Sequence, residues 1–472
     1  MKEKNNLTEG PILQSLITLS IPVIFANFLH TAYQLTDTFW VGRLGSVAIA
    51  SVSLSFPIIF LIVSLGGGLT MAGTILVAQY KGKNDIDAVD YITSQTLLTV
   101  FIVSAVLGCL GYFLSPFIVG IMGAEKDVFV NAVSYLKISF LGAIFVFTFM
   151  VFQSLMRGVG DVKTPMYIVL ITVTLNVIID PLFIFGYGPF PSLGVTGAAV
   201  ATIITQGLSA GIGIYMMLKG NHQIKLRFYN LKPDFSLIKK MFKLGLPSSI
   251  EQSTIGLGMN LMIFLVSGFG TVALAAYGIG TRIQGFIIVP TLGLAMAVST
   301  LVGQNIGAGK VERAVSTVRT AATISFVFLT FIGIITFIYA QKISSVFIPG
   351  EEETIRSSTL FIRTIALSFG FIGIHHTLNG AFIGSGNTIT SMALSIISLW
   401  LLRFPFAYIL SHFAGMQERG IWMAFLLTNV LGAIITALWF LRGTWKKKRI
   451  TEEIKIISAT TSEVLIEEGV DT

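Results

Sequence analysis

Long runs without a single charged side chain dominate the chain, among them Gly10 to Thr36, Leu44 to Tyr80, Tyr91 to Ala124, Ile138 to Met156 and Thr320 to Gln341. As a helix, each is long enough to cross a hydrocarbon core about 30 Å thick, which takes roughly 20 apolar residues. With Gly, Pro and clustered charges as punctuation, the pattern predicts twelve helices, near 11–42, 46–80, 90–122, 131–156, 163–187, 193–218, 238–268, 272–306, 314–347, 358–383, 388–413 and 420–442. The first apolar run is too long for a signal-peptide core and no small-residue cleavage site follows it, so it is expected to remain in the mature protein.

Composition changes the picture from helical to membrane-embedded. The 472 residues are 54% hydrophobic and 11% charged, with a mean hydropathy of +0.83, whereas a soluble domain carries roughly a quarter charged residues. The expected fold class is an all-α polytopic membrane protein. The lone cysteine, Cys109, excludes an intramolecular disulfide and a thiolate zinc cluster, and its apolar surroundings predict a small core residue.

Basic residues then set an orientation. Lys219, Lys225, Arg227, Lys232, Lys239, Lys240 and Lys243 fall between the sixth helix and the first turns of the seventh, and Arg442, Lys446, Lys447, Lys448 and Arg449 lie at and beyond the end of the last. The opposite side carries chiefly Arg43, Lys126, Lys342, Arg356 and Arg419. The positive-inside rule therefore puts both termini in the cytoplasm and a multi-pass chain in the inner (cell) membrane. Topology accounts for the net charge of +8, and no nucleic-acid partner is implied.

The chain also repeats itself. A shift of 225 residues lays Val41 to Ala50 on Val266 to Ala275, Gly68-Leu69-Thr70-Met71-Ala72 on Gly293-Leu294-Ala295-Met296-Ala297, and Gln79 on Gln304; a shift of 226 lays Gly158-Val159-Gly160 on Gly384-Ser385-Gly386 and Thr202 on Thr428. Six helices per copy is an even number, so both copies insert with the same orientation, as two pseudo-symmetric six-helix bundles. The organisation read from this is an N-terminal lobe at 1–218, a cytoplasmic linker at 219–237, a C-terminal lobe at 238–445 and a polar cytoplasmic tail at 446–472.

Three features together, Thr36-Asp37-Thr38-Phe39-Trp40-Val41-Gly42-Arg43-Leu44-Gly45, the Gln79 and Gln304 segments, and Arg157-Gly158-Val159-Gly160-Asp161, resemble the multidrug and toxic compound extrusion (MATE) transporters over nearly the whole chain. Acidic residues in the first and fifth helices make it most similar to the DinF-like prokaryotic branch. The resemblance implies a V-shaped pair of lobes around a central cavity. It also implies export of small cationic amphiphilic compounds against a proton or sodium gradient, by a monomer with no cofactor beyond that H+ or Na+.

The residues of the N-terminal half carry chemistry of their own. Charges inside a bilayer cost several kcal/mol or more by most estimates and persist mainly where they pair, line water or bind something. Asp37 and Asp180 are the two intramembrane carboxylates of that half. Tyr33 and Asp37, Asn176 and Asp180, and Ala198 and Thr202 stand at i and i+4, so each pair shares a helix face. Oxygens of Asp37, Asn176, Asp180 and Thr202 suit a hard cation such as Na+. A proton would serve instead, since burial and a second carboxylate both favour the protonated form. The substrate cavity is assigned to Tyr33, Asp37, Gln153 and Asp180. Pro181 is expected to kink the fifth helix at the site, and Pro22 and Pro247, superposed by the repeat, to act as hinges.

The repeat places Met262, Trp400 and Phe404 opposite Asp37, Asn176 and Asp180, so the site should be asymmetric. Glu251, near the acidic position that another MATE branch uses for cations, is a secondary candidate. Arg282, Arg403 and the pair His375-His376 remain open between cavity and structural roles. The 15 Met and 37 Phe residues suit a pocket that accepts many shapes. A flippase for lipid-linked oligosaccharides or peptidoglycan precursors stands as the alternative, although it would want a basic cavity. No His, Asp or Cys cluster marks an enzyme.

Overall fold

The computed structural model describes residues 7–188, 190–447 and 450–453. The first half comprises α1 (Ile12–Gly42), α2 (Ser46–Gly82), α3 (Ile86–Ile121), α4 (Lys126–Val159), α5 (Lys163–Pro181) and α6 (Val195–Lys219). The second comprises α7 (Phe235–Ser267), α8 (Thr271–Gly307), α9 (Val311–Phe347), α10 (Glu352–Ala366), α11 (Phe369–Gly384), α12 (Thr388–Ile396), α13 (Phe404–Tyr408) and α14 (Glu418–Leu441). Among the described residues eleven helices are long and apolar enough to cross a membrane, and the α10–α11 pair, bent by 49°, makes a twelfth span. The chain is thus an all-α, polytopic membrane protein, as the hydrophobic pattern predicts.

Two departures from regular helix have local causes. Pro181 has no N–H to give to the carbonyl one turn back, and the turn after it, Leu182–Gly186, is π-helical, with the Tyr187 N–H donating to the Leu182 carbonyl. The span predicted at 388–413 contains two further π-helical stretches, Ile397–Arg403 and Ile409–Phe413. Such widened turns re-aim side chains and recur at functional positions.

Contacts group the chain into two compact units. One takes the described residues within 1–24 and 250–449, the other those within 25–249 and 450–472. Both divisions fall inside helices, just beyond Pro22 in α1 and Pro247 in α7. Of the expected tail at 446–472, residues 448–449 and 454–472 lie outside the described residues.

The repeat glycines are contact points. A Cβ on Gly158 would sit 3.1 Å from the carbonyl oxygen of Thr74 on α2, and one on Gly384 would sit 2.2 Å from that of Ser299 on α8. Thr74 and Ser299 are themselves related by the 225 shift, so one close helix approach is made twice.

The segment between α6 and α7 is folded onto α3. Asp90 accepts from the Lys225 N–H at 2.8 Å and from Arg227 Nε at 2.9 Å, while Gln95 Nε2 donates to the Asn230 and Lys232 carbonyls. Asp87, the pair Asp90-Tyr91 and the pair Ser94-Gln95 recur at three- and four-residue spacing, which puts them along one stripe of the helix. Cys109 departs from its expected place: it is exposed on α3. In a bilayer an outward side chain meets lipid, so an apolar neighbourhood in sequence does not distinguish core from lipid-facing positions.

Candidate functional site

The second half of α1 supplies Tyr33 and Asp37, α5 supplies Asn176 and Asp180, and α6 supplies Thr202. All five belong to the same compact unit. Asn176 Nδ2 donates to Asp180 Oδ1 at 2.8 Å, the i,i+4 pairing that their spacing predicts. The Tyr33 hydroxyl donates to Thr202 Oγ1 at 2.7 Å, tying α1 to α6 across 169 residues of sequence. Asp37 and Asp180 lie within electrostatic reach of each other and of Tyr33, and Tyr135 on α4 faces all three.

What distinguishes the group is a surplus of acceptors. Asn176 and Asp180 are fully buried. Asp180 Oδ2, Asn176 Oδ1 and Asp37 Oδ1 are each shielded from solvent and have no hydrogen-bond donor. A buried carboxylate or amide oxygen without a partner is costly. Three in one region suit a species that satisfies acceptors, either a cation or a proton. Thr202 Oγ1, already accepting from Tyr33, keeps a lone pair for the same purpose. Gln153 is half-buried on α4, and the hydrogen bonds found within this group among the described residues do not include it.

An apolar layer lies directly against the polar one. Val41, Ile184 and Ala198 are each one turn from Asp37, Asp180 and Thr202, and all three are buried in a single cluster with Ala48, Tyr135, Val195 and Ala199. The layer keeps water from one end of the group, which strengthens electrostatic interactions within it.

The other compact unit is built differently. Glu251 on α7 is buried, and its oxygens accept from Asn379 Nδ2, Ser391 Oγ and Ser395 Oγ, each at 2.7 Å. Those three donors were not singled out from the sequence, because Asn and Ser are common in helices and lie 128, 140 and 144 residues from their acceptor. His375 Nδ1 pairs with Thr436 Oγ1 at 2.9 Å. Arg403 Nη2 donates to Asn429 Oδ1 at 2.6 Å, and Arg282 is exposed on α8. Trp400, opposite Asn176 in the repeat, donates from Nε1 to the Thr254 carbonyl at 3.2 Å. Among the described residues no three His, Cys, Asp or Glu side chains converge as metal ligands.

The MatE family profile matches residues 22–182 and 247–409. Those are the two repeats, and together they make up well over half of the chain, which therefore belongs to the MatE family of membrane transporters. A probable multidrug resistance protein NorM of Thermotoga maritima is 29% identical over 440 residues, 93% of this chain and 94% of its own. A FAD transporter of Shewanella oneidensis is 25% identical over 462 residues, 98% of this chain and 100% of its own. The crystal structure of a MATE protein in complex with MaL6 superposes with a TM-score of 0.88 at 25% identity, covering 95% of this chain and all of that one.

Proposed function

We propose that the protein is a secondary active antiporter that exports cationic amphiphilic drugs in exchange for protons or sodium ions, by alternating access across the cell membrane. The observation that carries this reading is the set of donorless buried oxygens on Asp37, Asn176 and Asp180. In the ion-loaded state a proton or Na+ satisfies them; in the substrate-loaded state the carboxylates are free to attract an organic cation. Competition for one group of acceptors is sufficient to couple two opposed fluxes. The multidrug resistance relative is consistent with the assigned substrate class. Pro22 and Pro247 sit close to where α1 and α7 divide between units, which suits them to absorb the backbone change that alternating access demands.

Counterflow in proteoliposomes tests the reading: labelled ethidium should accumulate when unlabelled ethidium is trapped inside, and its failure to do so would exclude organic-cation transport. Thr202→Ala should weaken coupling only partly, by a factor of roughly five, since one neutral hydroxyl is worth on the order of 1 kcal/mol. Export by this variant at the wild-type rate would remove Thr202 from the site.

The orientation, with both termini and the Ile224 to Lys243 segment in the cytoplasm, follows from the lysine asymmetry. Asn230 is buried against α3, whereas Tyr229 is exposed, so Tyr229 is the position to probe. A cysteine there, in a Cys109→Ser background, should resist an impermeant maleimide in intact cells and react once they are opened. Rapid labelling of intact cells would invert the topology.

A further inference from the structure

Among the described residues Arg403 has no counter-ion. It lies inside the span 388–413, and none of the ion pairs among the described residues involves it. Glu251, the buried carboxylate of the same unit, is occupied by Asn379, Ser391 and Ser395 instead. The guanidinium is held by neutral partners: Nε donates to Thr428 Oγ1 at 3.2 Å, Nη2 donates to Asn429 Oδ1 at 2.6 Å, and Cζ sits 4.6 Å from the centre of the Phe425 ring. Asn429 is fixed in turn by donating to Ser368 Oγ at 2.9 Å. Among the described residues both N–H groups of Nη1, and the second on Nη2, find no protein acceptor. Arg403 is half-buried rather than fully enclosed, and Nη1 is the end of the guanidinium that its protein partners leave unengaged.

The repeat gives this position meaning. The shift that lays Phe404 on Asp180 puts Arg403 one residue before it, and Thr428, which meets Arg403, is the counterpart of Thr202, which meets Tyr33. Corresponding neighbourhoods of the two copies, offset by one residue, therefore hold opposite chemistry: unpartnered carboxylate oxygens in one, an unpaired guanidinium in the other. The remaining titratable groups facing Arg403 are Tyr277 on α8 and His375 and His376 on α11. None supplies a carboxylate. A membrane-embedded arginine is ordinarily retained for a partner or a ligand, and its planar fork matches the oxygens of a carboxylate or phosphate.

We propose that the C-terminal unit contains an anion-binding site in which the Nη1 and Nη2 face of Arg403, positioned by Thr428, Asn429 and Phe425, takes one carboxylate or phosphate group. That group comes either from a soluble aromatic anion or from the phosphodiester of an anionic lipid.

The test uses the full-length protein in phosphatidylcholine nanodiscs, titrated calorimetrically with phenyl phosphate, alongside discs containing phosphatidylglycerol. Arg403→Gln removes the charge. Asn429→Asp leaves the arginine in place and gives it an internal carboxylate, so it should fold with an undiminished Tm while competing the ligand away. Saturable phenyl phosphate binding, weakened at least about tenfold in both variants, is the expected result for a soluble ligand, the loss of a charge-assisted pair being worth that much. If phenyl phosphate gives no heat but phosphatidylglycerol raises the Tm of wild type and not of the Asn429→Asp protein, the site belongs to lipid. Absence of both effects, or binding that is equal in wild type and a folded Asn429→Asp protein, would overturn the proposal.

Discussion

Asp180→Asn should reduce export of cationic dyes to background in cells in which the variant reaches the membrane at the wild-type level, and Asp37→Asn should do the same. Asparagine is nearly the same size as aspartate, and burying a neutral amide costs less than burying a charge, so the bundle has no reason to unfold. The loss expected is of the ion-exchange step. An amide cannot release a proton or neutralise Na+, and Asp180 Oδ2 is one of the buried oxygens that lack any donor. Export would fall by a hundredfold or more if coupling is lost outright, a difference of about 3 kcal/mol in the driving interaction. Measuring ethidium efflux beside surface abundance separates this from misfolding. Normal efflux from well-expressed Asp180→Asn protein would move attention to Glu251 and its three donors.

The second large effect is structural. A Cβ on Gly68 would lie 2.1 Å from Ser249 Oγ and 2.3 Å from the Gly245 carbonyl oxygen, and one on its repeat partner Gly293 would lie 2.5 Å from Ile24 Cγ1 and 3.1 Å from the Ile24 N. Ser249 and Ile24 are related by the same 225 shift, so α7 crosses α2, and α1 crosses α8, through one motif used twice. Backbone atoms stand in the way, and they cannot rotate aside as a side chain can. Gly68→Val should therefore abolish folded protein in detergent, because it combines overpacking of several kcal/mol with loss of the Ser249 Oγ to Leu65 carbonyl bond at 3.0 Å. Gly293→Val should be the milder of the two, since part of its clash is with a side chain. A monodisperse Gly68→Val protein with the Tm of wild type would show that the crossing tolerates a spreading of the helices.

These two effects bear on what a sequence of this kind discloses. Period and charge reveal helices because lipid admits little else, and the i,i+4 spacing of Asn176 and Asp180 translated directly into a hydrogen bond. The Tyr33 to Thr202 bond was only partly legible: both residues share faces with site positions, but the helix that α1 meets is decided by packing. The three donors to Glu251 carried no signal, since their contact depends wholly on how α7, α11 and α12 are brought together. The break between Ala366 and Phe369 was also hidden, and a single helix at 358–383 was expected where two, bent by 49°, occur. No proline marks it. It falls where a Cβ on Gly370 would lie 2.3 Å from Thr330 Oγ1, and where Ser368 Oγ turns back to the Ile365 carbonyl at 2.7 Å. Cys109 shows the complementary blindness, in that sequence reports that a residue is apolar but not whether protein or lipid surrounds it.

The most direct test of the coupling site is ion release on substrate binding. Purified wild-type protein, in weakly buffered detergent solution with a pH indicator and in parallel with a sodium-sensitive dye, is mixed with saturating ethidium. Competition for the Asp37, Asn176 and Asp180 oxygens predicts release of H+ or Na+, whichever ion is the coupling one, and no release from an Asp37→Asn, Asp180→Asn double variant. Ethidium binding to wild type without release of either ion, or equal release from the folded double variant, would contradict it.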